Sequence, residues 1–207
     1  MFSFSSRLYP ITDTCISSLS HAQQVAQLSE GGAQLIQIRE KHLAPRSFYR
    51  EAQAAVQQAH QSGVRLIIND RPDIALVLGA DGVHLGQDDL PAEAARALLG
   101  AQAIIGLSTH NVAQAQTAAK LPIDYIAIGP IFASRTKVNP EPTVGLVGLR
   151  QVRDVIGGIP LVAIGGITAE NAPQVIAAGA DAVAVISALL TEDASICDNT
   201  RRFLQRL

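Results

Sequence analysis

Eight short apolar runs, several rich in β-branched residues, recur along the 207-residue chain at 8–12, 35–39, 66–69, 82–85, 104–108, 125–129, 161–165 and 182–186. Between them lie Ala-, Gln- and Leu-rich segments with helical periodicity, as at 20–30, 47–61, 111–120 and 168–178. Runs this continuously apolar suit strands covered on both faces, which means a parallel sheet wrapped by helices. Eight such βα units in one chain predict a (β/α)8 TIM barrel, a fold that starts at about 200 residues. A doubly wound sheet commonly needs fewer strands and often opens on Gly-x-Gly-x-x-Gly, which is absent here. Helix ends carry their own signals: Ser62-Gly63 closes the second helical segment, Pro91 opens the fourth, and Gly179 ends the one that starts near Thr168. No linker, low-complexity tract or charge block divides the chain, so residues 1–207 read as one barrel domain.

Composition narrows the partners. A net charge of −2 gives no general attraction to nucleic acid or to an anionic membrane, so basic residues must act locally. No uncharged apolar run reaches the ~18 residues of a membrane span, and the N-terminus lacks the basic start and long apolar stretch of a signal peptide. Cys15 and Cys197 have no metal-type spacing and read as a reduced pair. A soluble cytoplasmic protein acting on small molecules is expected, with no nucleic acid, no membrane and no obligate protein partner evident.

In a barrel of this kind chemistry sits at the C-terminal strand ends. Polar residues gather there: Gln37, Arg39, Glu40 and Lys41 after the second run, Asn69 and Asp70 after the third, Gln87, Asp88 and Asp89 after the fourth, and Ser108 after the fifth. The sixth run leads into a loop that ends at Lys137. Asp70 and Asp89 bring two carboxylates to neighbouring strand ends, and Mg²⁺ takes oxygen from one or two carboxylates with waters and phosphate oxygens. Asp70 alone reads equally as a cap for the helix that starts at Arg71-Pro72; Asp89 tips the pair toward metal. With Arg39, Lys41 and Lys137 nearby, the mouth suggests a metal-assisted site for a polyphosphate. Gly165-Gly166, with Ile186-Ser187 after the eighth run, matches the place where barrels commonly bind one phosphate. The alternative there is a tight left-handed turn with no ligand. His84 lies inside the fourth run and is expected to be packed or hydrogen-bonded within the barrel. His42 and His110 do not pair with it at zinc spacing, so no histidine is assigned to catalysis. Arg71 and Asp73 are expected to fix the loop after the third strand.

Gln37-Ile38-Arg39-Glu40-Lys41, Asn69-Asp70-Arg71, His84-Leu85-Gly86-Gln87-Asp88-Asp89, Gly106-Leu107-Ser108, Gly129-Pro130-Ile131-Phe132, Thr136-Lys137 and Ala163-Ile164-Gly165-Gly166-Ile167 together resemble the thiamine-phosphate synthase family, in order from about Tyr9 to Ser187. The resemblance implies an enzyme that joins a pyrimidinylmethyl diphosphate to a thiazole phosphate, giving thiamine monophosphate and pyrophosphate. By position it puts the pyrimidine diphosphate on Gln37, Ile38, Arg39, Glu40, Lys41, Asn69, Ser108 and Lys137, and Mg²⁺ on Asp70 and Asp89. It puts the thiazole phosphate on Ser134, Arg135, Thr136, Gly165, Gly166, Ile186 and Ser187. Lys137, Lys41, Arg39 and Ser108 are then the expected catalytic groups, the cations offsetting the departing charge in a dissociative, carbocation-like substitution. The thiazole nitrogen has no proton to lose, so no general base is assigned. The family's Thr-x-Thr-Lys is Ser134-Arg135-Thr136-Lys137 here; serine retains the hydroxyl, and Arg135 either adds charge to the phosphate or points to solvent. Asp88 adjoins Asp89, and the register of the match favours Asp89 as the ligand. Two other readings stand beside this one. A thiazole phosphate tautomerase would need a base near the thiazole and would not need Asp70, Asp89, Lys41 and Lys137; the other is a phosphate-ligand-binding barrel without turnover.

Overall fold

The structure is a computed structural model and describes residues 2–133, 142–190 and 195–207. Strands β1 (Leu8–Thr12), β2 (Leu35–Ile38), β3 (Arg65–Asn69), β4 (Gly82–Leu85), β5 (Ile104–Thr109), β6 (Tyr125–Ile128), β7 (Leu161–Ile164) and β8 (Ala182–Val185) run parallel and close into a barrel, β8 pairing with β1. The eightfold alternation of the sequence therefore resolves as the expected (β/α)8 architecture.

Each strand is buried on both faces, and its two faces serve different cores. Side chains at alternate positions divide between a barrel interior built on Tyr9, Ile11, Leu35, Ile67, Ile104, Tyr125 and Val162 and a larger layer between barrel and helices that takes Ile36, Ile38, Leu66, Ile68, Val83 and Leu85. The period of two then carries each inward row from apolar to polar toward the C-terminal end: Leu35 to Gln37 to Arg39, Ile67 to Asn69, Gly82 to His84, Ile104 through Gly106 to Ser108.

The helices are α1 (His21–Glu30), α2 (Pro45–Ser62), α3 (Pro72–Leu78), α4 (Ala92–Leu99), α5 (Val112–Ala118), α6 (Gly145–Ile156), α7 (Ala172–Ala177), α8 (Ser187–Leu190) and α9 (Ile196–Arg206). Helix α2 starts earlier than the pattern predicts because Pro45 opens its first turn. Helix α7 starts later because Thr168 and Asn171 bond each other's backbone N–H across a separate turn. Helix α9 lies beyond the eight repeats and packs on α1, where a Cβ on Gly31 would come within 2.5 Å of Thr200 Cβ.

At the N-terminal rim one device recurs. Asp81, Asp124 and Asp181 precede β4, β6 and β8, and each carboxylate accepts the N–H of the neighbouring strand, from Leu66, Ile105 and Leu161 at 2.7, 2.8 and 2.7 Å. Arg96 and Arg153 reach the latter two aspartates and also bond loop carbonyls. Phe2 and Phe4 close the floor: they pack edge-on at 4.9 Å, and Phe4 stands 5.5 Å from the Tyr125 ring and 6.0 Å from the Tyr9 ring. Arg65 lies over the Phe2 ring.

Candidate active site

The inward polar rows open into a cavity of about 600 Å³ at the C-terminal strand ends. Gln37, Arg39, Lys41, Asn69, Asp70, Asp89 and Ser108 line it together with Gly165, Gly166, Ile186 and Ser187. Two expected contact residues face elsewhere. Ile38 points outward and is fully buried in the helix-facing layer. Glu40 turns its carboxylate to its own loop, accepting from His42 N at 2.6 Å, Leu43 N at 3.1 Å and Thr14 Oγ1 at 3.1 Å. Burial opposes its charge, but these donors win and hold its carboxyl below the usual carboxylate range. Glu40 therefore shapes the loop that presents Arg39 and Lys41. Ser134, Arg135, Thr136 and Lys137 lie outside the described residues.

Asp70 adopts φ 63°, the one non-glycine residue with positive φ among those described. That left-handed turn removes it from the capping role: α3 is preceded at its cap position by Arg71, with no side-chain cap bond. The Asp70 carboxylate instead accepts from the Lys41 ammonium and abuts Asp89. Burial raises its pKa, with Asp89 adding to the rise and Lys41 opposing it. Asp89 is fixed by Gly86, whose N–H donates to Oδ2 at 2.6 Å, whereas Asp88 is exposed. Two adjoining carboxylates, here met by the Lys41 ammonium, are oxygen donors of the kind that suits a hard cation. Among the described residues no third His, Cys, Asp or Glu joins them, so an ion held here would complete its shell with water and ligand oxygens, as Mg²⁺ does.

Arg39 is held by Asp13, Nη1 donating to Oδ2 at 2.7 Å, and Asp13 is fixed in turn by Cys15 N at 2.9 Å. Sequence reasoning missed Asp13, although it stands at the end of β1 as the other polar residues stand at theirs. Arg71 grips Asp73 through two bonds of 2.8 and 2.6 Å, as expected for the loop after β3.

A row of hydrogen bonds runs beneath the cavity. Gln37 Nε2 donates to Tyr9 Oη at 3.0 Å, Tyr9 Oη lies 2.9 Å from Tyr125 Oη, and Tyr125 Oη lies 2.8 Å from His84 Nδ1. His84 Nε2 lies 2.8 Å from Ser108 Oγ, and the imidazole stacks on the Tyr125 ring. His84 is thus hydrogen-bonded inside the barrel, as its place in the strand suggests. The two tyrosines were not anticipated. The available signal was Gly106, which faces Tyr125 across the sheet and leaves room for its ring: a Cβ there would lie 2.0 Å from Tyr125 Cζ.

On the opposite wall Gly165 (φ 104°) and Gly166 (φ 64°) pass so close to the β6 loop that added Cβ atoms would lie 2.6 Å from Pro130 Cα and from Ala133 O. These glycines are needed by the turn itself, and they also leave backbone facing the cavity beside Ser187. His110 fixes the β6 end through Nδ1, 2.7 Å from Gly129 O.

Residues 8–189 match the family model described as thiamine monophosphate synthase. The chain belongs to that family. It is 45% identical over 188 residues to the thiamine-phosphate synthase of Chloroflexus aurantiacus, covering 90% of this chain and 86% of that protein. It is also 45% identical over 188 residues to the thiamine-phosphate synthase of Clostridium novyi, covering 90% and 92%. A solved thiamine phosphate pyrophosphorylase from Pyrococcus furiosus superposes with a TM-score of 0.87 at 34% identity, over 97% of this chain and 94% of that one. In this member of the thiamine monophosphate synthase family the cavity has two chemically distinct walls: carboxylates and cations on β2–β4, and glycine backbone with a hydroxyl on β7–β8.

Proposed function

We propose that this cavity joins a pyrimidinylmethyl diphosphate to a thiazole phosphate, forming thiamine monophosphate and releasing pyrophosphate. The observation that carries the reading is the abutting Asp70–Asp89 pair with Lys41 on it and Arg39 lining the same cavity, across from the Gly165-Gly166 turn and Ser187. Asp70 and Asp89 would hold Mg²⁺, which when bound supplies positive charge to the diphosphate oxygens as the leaving group departs. Lys41 exchanges its bond to Asp70 for one to diphosphate, and Arg39, kept in place by Asp13, faces the same anion. Gln37, Asn69 and Ser108 offer polar groups to the pyrimidine end. Gly165, Gly166 and Ser187 seat the second substrate by its phosphate, so that its ring nitrogen meets the reactive carbon without diffusing to it. A tautomerase would have no use for the carboxylate pair.

No helix among the described residues is long and apolar enough to cross a membrane. The free thiols Cys15 and Cys197 accord with a cytoplasmic setting. The test is pyrophosphate release from the two purified substrates with and without Mg²⁺. Release that needs both substrates and the metal supports the reading. Turnover of the thiazole phosphate alone would favour tautomerase chemistry, and ligand binding without turnover a sensor.

A further inference from the structure

We infer that Gln37, Tyr9, Tyr125, His84 and Ser108 form one polarised hydrogen-bond chain that fixes His84 as the neutral Nε2–H tautomer and turns the Ser108 hydroxyl proton into the cavity, making Tyr9, Tyr125 and His84 positioning residues for the substrate. The inference rests on the proposed function for what meets Ser108, but not for the chain itself.

The proton direction follows from donor and acceptor counting. Gln37 Nε2 has only hydrogens to give, so Tyr9 Oη accepts. Tyr9 is fully buried, and among the described residues its own proton has one acceptor in reach, Tyr125 Oη at 2.9 Å. Had Tyr125 donated to Tyr9 instead, the Tyr9 proton would be buried without a partner, a cost of about 1–3 kcal/mol. Tyr125 Oη therefore accepts from Tyr9 and donates to His84 Nδ1 at 2.8 Å. With Nδ1 an acceptor, the ring proton sits on Nε2 and is given to Ser108 Oγ at 2.8 Å. Serine has one proton of its own, and with its oxygen already accepting from the histidine, that proton goes to the cavity. Ser108 is then a donor aimed at a ligand acceptor, such as a pyrimidine ring nitrogen or a phosphate oxygen. Burial pushes both phenols well above their usual range, so neither loses its proton at a working pH.

The geometry that makes the chain is costly unless it is used. Two tyrosines and a histidine stand where the apolar inward rows give way to polar ones, and Gly106 gives up its side chain to admit the Tyr125 ring. The chain ends at both extremities on residues that line the cavity, Gln37 and Ser108. It thereby links β2 to β5 through the barrel interior.

Two measurements on the full-length protein test this. The first is ¹⁵N NMR of histidine-labelled wild type, with the His84 signals identified by their loss in His84→Gln. Neutral His84 with its proton on Nε2 supports the chain; a proton on Nδ1, or on both nitrogens, overturns it. The second is single-turnover kinetics of Tyr125→Phe and Tyr9→Phe, which keep the rings and remove one hydroxyl each. For variants that retain the wild-type circular dichroism and a cooperative melting transition, the chemical rate should fall about tenfold, the worth of one buried hydrogen bond, while the steady-state KM for the thiazole phosphate stays unchanged. Rates equal to wild type in both folded variants would overturn the positioning role. Should Tyr125→Phe not fold, Tyr9→Phe and the wild-type NMR still decide. A wild-type protein that releases no pyrophosphate would defeat the proposed function, and the His84 tautomer would then decide by itself whether the hydrogen-bond chain exists.

Discussion

Asp70 takes a left-handed backbone angle that costs an ordinary residue about 1–2 kcal/mol, which Asn and Asp bear better than most. Asp70→Asn therefore keeps the turn while removing the charge, whereas Asp70→Ala adds strain. Pyrophosphate release should fall by about 10²-fold or more in Asp70→Asn and in Asp89→Asn. Thermal melts should place Asp70→Ala about 1 kcal/mol below Asp70→Asn. A folded Asn variant turning over at the wild-type rate in limiting Mg²⁺ would remove that carboxylate from the proposed ligand set. A second residue-scale prediction concerns His21, which is fully buried with Nδ1 2.7 Å from Thr12 Oγ1 and Nε2 3.6 Å from Glu40 Oε2, without a hydrogen bond there. Burial holds its pKa below the ordinary 6.5. As pH falls below that value the unfolded chain takes up a proton that the folded chain resists, so stability declines on acidification. Urea midpoints between pH 7.5 and 5.5 should drop more steeply for wild type than for His21→Gln, and parallel slopes would refute the argument. What was legible at this scale followed from period two: Gln37, Asn69 and Ser108 sit at inward positions because strand alternation puts them there. Asp13 on Arg39 was not legible because it pairs residues 26 positions apart at the ends of the neighbouring strands β1 and β2, and Tyr9 on Tyr125, 116 residues apart, meets only across the closed barrel.

At the scale of elements, the strand runs were readable to within about a residue because a fully buried parallel strand must be apolar on both faces. Helix starts were less so: the Thr168–Asn171 turn uses the same residue types as a capping box but closes before the helix begins. The Arg153 fork is the clearest case of side chains holding elements together. It donates to the carbonyls of Gly157, Ile159 and Gly179 at 2.6, 2.9 and 2.9 Å, so it caps α6 and ties it to the start of β8. Arg153→Met should lower stability by about 1–3 kcal/mol, or several degrees of melting temperature for a chain of this size. Turnover at 25 °C should be unchanged, because the fork lies on the rim away from the cavity. A kinetic defect without loss of stability would contradict the division of labour between the rims.

For the molecule as a whole, the aromatic floor separates an open end from a closed one. Phe2→Ala with Phe4→Ala should lower the melting temperature, with a loss of about 1–3 kcal/mol for partly buried rings. The chain has no tryptophan and three tyrosines, two of them just above these rings. Acrylamide quenching of tyrosine emission should accordingly rise in the double variant, and unaltered quenching would mean that the rings do not seal the base.

Among the described residues the barrel is a cup, stoppered at its base and open at the C-terminal strand ends. Gln37 and Asn69 lie buried toward its bottom, while Ser187 stands exposed at its lip. Under the proposed chemistry the pyrimidine partner must go in before the thiazole partner covers it, and whatever rests deepest after reaction has to wait for what lies above it. The queue is set by the shape of the vessel, before any affinity is considered.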